Sequence, residues 1–218
     1  MRQRTLIFDL DGTLVDSVPD LAAAVNRLMA TRSLPGFAAP AITAMVGDGA
    51  AALVARAFAA HGHPPDAAAL ADFLADYGAH AAEASRPYPG VGEGLAILAA
   101  RGWRLAVCTN KPEAPARSLL AALGLARYFA AVAGGDSFPV RKPDPAHLLG
   151  TLAAAGGSLP DALMVGDHHN DMEAARAAGM PAIFAAWGYG TPAMAEAAAA
   201  IAAAFTDVPD IAERLLPG

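Results

Sequence analysis

Short apolar segments recur along the chain, and most are followed by a loop and then by a stretch whose apolar residues have helical spacing. Short apolar runs bounded by turn-forming residues are typical of buried strands, and strands that alternate with helices favour a parallel sheet with helices on both faces. The pattern therefore predicts an α/β fold with six strands. They are predicted over residues 5–8, 104–108, 131–133, 162–165, 181–184 and 201–205.

One interval, residues 17–85, breaks this alternation. Its alanine and leucine residues have helical spacing throughout, and it offers no convincing strand. Ser17 followed by Asp20 resembles the start of a helix, and further helices are predicted over residues 49–60 and 65–84. We therefore expect a small all-helical insertion after the first strand.

The two ends of this insertion are predicted to act as hinges. Residues 15–17 lead into it, and the proline- and glycine-rich residues 86–90 lead out of it. The predicted domains are an α/β core of residues 1–16 and 86–218 and a helical unit of residues 17–85. A chain of 218 residues is long enough for a core of this kind with a smaller insertion.

Composition and charge narrow the functions to consider. Hydrophobic residues make up 55% of the chain, but no apolar run approaches the roughly 20 residues of a membrane-spanning helix. The net charge is −6 without a basic stripe, which disfavours nucleic-acid binding. Asp9 and Asp11 interrupt the first apolar stretch too early for a secretory signal, so we expect a cytoplasmic protein. The single cysteine, Cys108, is expected to be a buried strand thiol.

Two carboxylates, Asp9 and Asp11, follow the first predicted strand. Side chains alternate along a strand, so these two project to the same side if the extended geometry continues. Such crowding is costly unless a cation, a shared proton or water relieves it, which favours a metal site or acid/base chemistry. The alternative is a solvated turn, because an Asp-Gly pair such as Asp11 and Gly12 commonly forms turns.

Polar residues follow four of the predicted strands. Loops at the carboxyl ends of parallel strands meet at one edge of the sheet, where ligands usually bind. Taken singly, Thr109 and Asn110 could cap the next helix, and Asp167 and Asp171 could be acids of a turn and of the first turn of a helix. Their joint occurrence favours one site. Its members are Asp9 with Asp11, Thr109 with Asn110 and Lys111, Lys142, and Asp167 with Asp171.

Lysine is rare in this chain, and its positions are informative. Thirteen of the 15 basic residues are arginine, and the two lysines, Lys111 and Lys142, both lie in loops after predicted strands. Lysine carries a compact point charge, so we expect each amino group to lie near an anion or a carboxylate.

With these motifs the chain resembles the haloacid dehalogenase-like hydrolases, specifically their phosphoglycolate phosphatase branch. The resemblance covers nearly the whole chain and implies a Rossmann-like core whose six predicted strands, numbered along the chain, have the order 5-4-1-2-3 with the sixth at the edge. The motifs that carry it are Asp-Leu-Asp-Gly-Thr-Leu-Val-Asp-Ser at 9–17, Thr109 within Cys-Thr-Asn-Lys, Lys142 within Lys-Pro-Asp-Pro, and Asp167 with Asp171.

The resemblance implies a catalytic role for several of these residues. Asp9 would attack a phosphate monoester and form an aspartyl-phosphate, while Asp11 would act first as general acid and then as general base. Lys142 would neutralise the phosphate and the nucleophile. Phosphoryl oxygens would be bound by the Thr109 hydroxyl and by the backbone amides of Gly12 and Asn110.

A cofactor and a reaction follow from the same resemblance. Mg²⁺ would be held by Asp9, the backbone carbonyl of Asp11, Asp167 and Asp171. The implied activity is hydrolysis of a small phosphate monoester, with 2-phosphoglycolate favoured, by a monomer or homodimer that binds neither nucleic acid nor membrane. A phosphosugar mutase, a phosphatase for another small phosphorylated metabolite or pyrophosphate, and a protein that binds without turnover are the alternatives.

Substrate choice would rest on the helical insertion, which resembles a cap that closes over the site. Residues 47–50 and Arg56 are candidates for facing the leaving group, although an exposed helix position is favoured for Arg56. His168 and His169 depart from the family pattern, and we expect exposed loop histidines there, as for His61 and His63, and not metal ligands.

Overall fold

Six parallel strands form the central sheet of the computed structural model, which describes residues 3–218. A separate two-stranded ribbon lies beside it. In chain order the strands are β1 Thr5–Phe8, β2 Val15–Asp16, β3 Arg86–Pro87, β4 Arg104–Cys108, β5 Phe129–Ala133, β6 Ala162–Gly166, β7 Ala182–Ala185 and β8 Ala200–Ala202. The sheet order is β5-β4-β1-β6-β7-β8, which confirms the predicted order.

Nine α-helices occur within the described residues. They are α1 Val18–Thr31, α2 Ala39–Thr43, α3 Ala50–Ala59, α4 Ala69–His80, α5 Val91–Ala100, α6 Glu113–Ala122, α7 Pro145–Ala154, α8 His169–Ala178 and α9 Val208–Leu215. Short 3₁₀ helices cover Ala126–Tyr128, Leu159–Asp161, Pro192–Ala195 and Phe205–Asp207. None of the helices in residues 3–218 has the length and hydropathy needed to cross a membrane.

Alternation along β1 divides the core between the two faces of the sheet. Leu6 and Phe8 are fully buried in one cluster with residues of α5, α6 and α9. Ile7, between them, is buried in a second cluster with residues of α7 and α8. A strand covered on both faces must be apolar at every position, which is why β1 has a continuous apolar run and not an alternating one.

The helical insertion has a hydrophobic core of its own. Helices α1 to α4 contribute buried residues to one cluster, in which Phe58, Phe73 and Tyr77 are the large rings. Its two ends are joined to each other, because β2 and β3 pair antiparallel. The two segments predicted as hinges, residues 15–17 and 86–90, are therefore hydrogen-bonded to each other. The division into domains at residues 16 and 86 stays a prediction, and residues 1 and 2 of the predicted core lie outside the described residues.

Two predicted elements end three or four residues earlier than expected, and side-chain hydrogen bonds account for both ends. The helix predicted over 65–84 is α4, Ala69–His80, because Asp20 accepts hydrogen bonds from the backbone N–H groups of Ala84 and Ser85 and so ends the helical path. The strand predicted over 201–205 ends at Ala202, because Asp207 accepts from the N–H groups of the next two residues and closes a 3₁₀ turn.

Candidate active site

Asp9 lies directly beyond β1 at the carboxyl edge of the sheet. Its backbone N–H donates to the carbonyl of Val165 at 2.9 Å, which extends the pairing of β1 with β6 by one residue. Its buried carboxylate lies 2.9 Å from Nζ of Lys142. The position is set by the sheet itself, so the carboxylate is held by a rigid element.

Asp11 faces a different set of partners. Its Oδ1 accepts from Nζ of Lys111 at 2.9 Å and from the hydroxyl of Ser17 at 2.6 Å. The expected crowding of Asp9 against Asp11 is therefore only part of the arrangement, because each carboxylate contacts its own lysine. A solvated turn does not describe the pair, since Asp9 is buried and Asp11 half-buried.

Three buried carboxylates form a cluster at the sheet edge. Oxygen atoms of Asp9, Asp167 and Asp171 lie within 4.8 Å of one another, although these residues come from the ends of β1 and β6 and the first turn of α8. Convergence of the loops after parallel strands brings them together, as the sequence predicts. An all-oxygen set of this kind suits a hard divalent cation.

The cluster perturbs the pKa values of its members. Burial raises the pKa of Asp9 to about 6, with the neighbouring charge of Asp171 adding to the effect and Lys142 opposing it. Burial likewise raises the pKa of Asp167 to about 8, and the charges of Asp9 and Asp171 add to it. Without a cation, these carboxyl groups therefore hold protons more tightly than exposed aspartates do.

Lys142 supplies the positive charge inside this cluster. Its Nζ donates to Oδ1 of Asp171 and to the carbonyl of Cys108, both at 2.6 Å, and contacts Asp9. Burial opposes charging of this amino group, but the attraction of Asp171 and Asp9 outweighs it and raises the pKa. The expectation that this lysine faces carboxylates is confirmed. The peptide bond between Lys142 and Pro143 is cis.

Asp171 and Asp167 are each fixed by hydrogen bonds from neighbouring loops. Asp171 Oδ2 accepts from the backbone N–H of His168 and forms a capping box at the start of α8. Asp167 accepts from the hydroxyl of Thr13 and from the backbone N–H of Tyr189, both at 2.8 Å. Each carboxylate therefore has little freedom to rotate away from the cluster.

The predicted phosphate-binding residues lie beside Asp9. Thr109 is buried, and its hydroxyl accepts from the N–H of Lys111 at 3.2 Å. Asn110 donates from its side chain to the carbonyl of Lys142 at 2.9 Å and so does not cap the next helix. The N–H of Gly12 donates to the carbonyl of Val15 at 2.9 Å, so a phosphate contact from this amide stays a prediction that requires this bond to be shared.

The comparisons with known proteins agree with this geometry. A family model described as haloacid dehalogenase-like hydrolase matches residues 3–179. The chain belongs to this family. It is 48% identical over 194 residues to a phosphoglycolate phosphatase of Rhodospirillum rubrum, covering 85% of this chain and 80% of that protein. It is 43% identical over 217 residues to a phosphoglycolate phosphatase of Caulobacter vibrioides, covering 97% of this chain and 92% of that protein.

A solved structure of the same family has the same architecture. The crystal structure of a predicted phosphoglycolate phosphatase from Haemophilus somnus 129pt superposes with a TM-score of 0.88 at 33% identity, covering 97% of this chain and 98% of that chain. The arrangement of sheet and helical insertion in this family member is therefore shared with an experimentally determined relative.

A cleft separates the sheet edge from the helical insertion. The space within the cleft and at its mouth, which is open to solvent, is about 530 Å³, and the cleft has two contrasting walls. The sheet wall is polar and includes Asp9, Asp11, Thr109, Asn110 and Lys111; the insertion wall is mostly apolar and includes Leu21, Val46, Leu53, Phe73, Leu74 and Tyr77. Four of the predicted site residues, Asp9, Asp11, Thr109 and Asn110, therefore border this cleft.

Of residues 47–50, the cleft is lined by Gly47, Gly49 and Ala50, and Arg56 does not face it. Arg56 pairs with the carboxylate of Asp48 and donates to the carbonyl of Met45 at 2.8 Å, so it braces the loop. The carbonyl of Gly47 accepts from the side chains of both Asn110 and Asn170, at 3.0 and 3.3 Å. The loop is thus bound to the sheet edge by residues of the core.

The histidines have structural roles. His168 caps α8 and is half-buried, so the prediction that it is exposed is wrong. The same prediction is wrong for His61, which is half-buried with its ring centroid 4.9 Å from that of Phe37. His63 and His169 are exposed as expected. Within residues 3–218, no histidine belongs to a cluster of potential metal ligands.

Several site residues are not recognised from the sequence. The sequence places Ser17 at a helix start, in a hinge and at the end of the motif at 9–17, but it does not indicate that the hydroxyl donates to Asp11 instead of capping α1. Tyr189 reaches from the loop after β7 to the first residues of α1, where its hydroxyl accepts from Ser17 N–H at 2.7 Å. The only signal for Tyr189 was its place between two glycines, a pattern that does not identify a contact.

Proposed function

We propose that this chain is a Mg²⁺-dependent phosphatase that hydrolyses 2-phosphoglycolate to glycolate and phosphate. The observation that carries the reaction class is the carboxylate of Asp9, held at the sheet edge against Lys142 and beside two further buried carboxylates. The choice of substrate is supported by relatives named phosphoglycolate phosphatase that are 43–48% identical over most of the chain.

The donor atoms present fit a magnesium ion. The three clustered carboxylates offer only oxygen, and two of them have raised pKa values that a bound cation would lower. Asp9, Asp167 and Asp171 would hold the ion together with the backbone carbonyl of Asp11. When bound, Mg²⁺ would offset negative charge on the transferring phosphoryl group.

Asp9 is the proposed nucleophile. Its carboxylate attacks phosphorus in line as the ester oxygen leaves, and the phosphoryl group is carried on Asp9 until water hydrolyses it. Asp11 gives a proton to the departing glycolate alkoxide and later takes one from the attacking water. Asp11 lies two residues after Asp9 in the chain. Its carboxylate would leave its contacts with Ser17 and Lys111 when it turns toward the substrate.

Orientation and charge balance come from the residues around the nucleophile. Lys142, already 2.9 Å from Asp9, reduces the repulsion between that carboxylate and an incoming phosphate dianion. The hydroxyl of Thr109 and the N–H of Asn110 bind phosphoryl oxygens, with Gly12 as a further donor if its present hydrogen bond is shared.

The helical insertion is proposed to act as a cap. Residues 17–85 would move as one unit against a core of residues 1–16 and 86–218, opening and closing the cleft. The insertion has a hydrophobic core of its own, and β2 pairs with β3 at its junction with the rest of the chain; both observations support this division. Closure would exclude water while the phosphoryl group is transferred.

Phosphate release from a panel of phosphate monoesters tests the proposal. We expect the highest kcat/KM for 2-phosphoglycolate, dependence on Mg²⁺, and a loss on the order of 10⁴-fold or more in Asp9→Asn. Full activity in that variant would contradict the assigned nucleophile. A sugar phosphate that is converted to an isomer without release of phosphate would instead support the mutase alternative.

A further inference from the structure

We propose that Lys111, held against the ring of Tyr77, binds the carboxylate of the leaving group and so selects phosphorylated acids over uncharged phosphate esters. This inference rests on the proposed phosphatase function and assigns a residue to its choice of substrate. It concerns a lysine that has no part in holding the metal or the phosphoryl group in the mechanism above.

Lys111 occupies the leaving-group side of the cleft. Its Nζ lies 2.9 and 3.1 Å from the two carboxylate oxygens of Asp11, the residue that would donate a proton to the ester oxygen. In 2-phosphoglycolate one methylene group separates that oxygen from the carboxylate. A cation that already touches the general acid is therefore within reach of the substrate's second charge.

The opposite wall cannot perform this task. Among the described residues that line the cleft, Lys111 is the one cation, and the insertion contributes mainly apolar side chains. A carboxylate placed among such side chains without a partner would lose its hydration without compensation. Lys142 is already engaged by Asp9 and Asp171 at the phosphoryl side.

Contacts with the insertion hold the amino group in place. The side chain of Lys111 is only 4% exposed, and Nζ lies 4.4 Å from the centroid of the Tyr77 ring on α4. The contact with Asp11 and the ring stabilises the charged form. Tyr77 Oη is buried and interacts with the amino group of Lys111, so its hydroxyl proton is a further donor available to a bound carboxylate.

The substrate carboxylate would take the place of Asp11 on this lysine. When Asp11 turns to the ester oxygen, Lys111 loses its present partner, and a second carboxylate restores the pairing. Binding of an acid would thus release the general acid in the same step. A neutral ester leaves Lys111 paired with Asp11 and offers no such exchange.

The test compares 2-phosphoglycolate with 2-hydroxyethyl phosphate, in which a hydroxymethyl group replaces the carboxylate. We expect the ratio of their kcat/KM values to fall by about 10- to 100-fold in Lys111→Met, the effect of losing a hydrogen bond to a charged group. Lys111→Arg should recover part of the ratio. An equal loss for both esters in Lys111→Met would overturn the proposal, because the lysine would then act only through Asp11.

Arg141 provides a matched control. It is the exposed residue directly before Lys142, and its guanidinium lies near Gly49 at the cleft rim. Arg141→Met removes one positive charge from the same region, and we expect the substrate ratio to change less than about twofold, since an exposed charge is screened by solvent. A collapse of the ratio in this variant, with Lys111→Met unchanged, would assign the carboxylate to Arg141 instead.

Inhibitor binding gives a second readout that needs no turnover. The Ki of 3-phosphonopropionate, an isostere of the substrate, should rise by about 10-fold or more in Lys111→Met, while that of propylphosphonate should change little. Equal changes in both values would again overturn the assignment. If the wild-type protein does not prefer 2-phosphoglycolate to 2-hydroxyethyl phosphate, the proposed substrate fails as well; a preference that survives in Lys111→Met removes only the role of Lys111.

Discussion

Asn170 donates a hydrogen bond from its side-chain amide to the carboxylate of Asp48, with 2.7 Å between Nδ2 and Oδ1. Asn170 belongs to α8 in the core and Asp48 to the loop before α3 in the helical insertion. The same amide also contacts the carbonyl of Gly47 at 3.3 Å. Asn170 therefore connects the sheet edge to a loop that borders the cleft, and Asn110 adds a second connection through the same carbonyl of Gly47.

Asn170→Ala should weaken closure of the cleft. Hydrogen bonds of this kind contribute about 0.5–3 kcal/mol, the higher values applying to charged acceptors such as Asp48. Because these bonds span the cleft, we expect KM for 2-phosphoglycolate to rise about 5- to 10-fold, with a smaller change in kcat. Steady-state kinetics with saturating Mg²⁺ measures both constants.

Asn26→Ala is the control for this variant. The side-chain amide of Asn26 also connects two segments, but both lie inside the insertion. It donates to the carbonyl of Phe37 and accepts from the backbone N–H of the same residue. We expect it to lower Tm without changing KM. The closure hypothesis is wrong if Asn170→Ala behaves in the same way as Asn26→Ala.

The sequence was sufficient to predict the sheet and the residues at its carboxyl edge. Apolar runs locate buried strands, and the rule that loops after parallel strands converge places Asp9, Lys142 and Asp167 in one site without further information. The rarity of lysine was also a reliable guide, because both amino groups contact carboxylates.

The contacts that fix these residues could not be predicted. The end of α4 depends on Asp20, which accepts hydrogen bonds from residues 64 and 65 positions further along the chain. Tyr189 reaches the start of α1 across 172 positions. Local periodicity carries no information about such pairings, because they arise only once the sheet and the insertion have packed against each other.

Lys142→Met should destabilise the metal-free protein. It removes an amino group that contacts both Asp9 and Asp171, and breaking a buried ion pair costs about 3–5 kcal/mol. For a chain of this length we expect Tm to fall by roughly 10 °C in EDTA. Differential scanning calorimetry measures the shift, and added Mg²⁺ should recover part of it because a cation again faces the carboxylates.

An arginine on the surface serves for comparison. Arg101→Met breaks the pair between Arg101 and Asp210, in which both side chains are well exposed, and such pairs contribute little. A drop in Tm as large as that of Lys142→Met would show that loss of a positive charge alone, and not its position, destabilises the chain.

The metal-free protein should lose stability as pH rises from about 4 to 8. Folding raises the pKa of Asp9 from 3.8 to about 6 and that of Asp167 from 3.8 to about 8. Between the unfolded and folded pKa values the folded chain holds more protons than the unfolded chain, so stability falls with pH throughout this interval. The contribution is complete below the unfolded pKa and is fully lost once pH exceeds the folded pKa values. Thermal unfolding in EDTA across this range measures the slope.

Asp167→Asn separates this effect from other titrations. An amide cannot titrate, so the decrease in Tm between about pH 6 and 8 should be much smaller in the variant. Stabilisation of the wild-type protein by Mg²⁺ should increase over the same range, because the ion binds the deprotonated carboxylates. If the slopes in EDTA are the same for both proteins, Asp167 is not the group responsible.

Gly188→Ala should lower the affinity for Mg²⁺. A Cβ atom at Gly188 would overlap with the Cβ of Asp167 and with the carbonyl of Gly12, so the carboxylate of Asp167 has to move. Disturbing the support of a metal ligand typically reduces affinity by about 10- to 100-fold. Gly92→Ala is the matched substitution, because a Cβ there meets no atom within 4 Å and helix α5 gains stability from alanine. Mg²⁺ titrations by calorimetry should therefore separate the two variants, and equal affinities would mean that Asp167 does not depend on this close approach.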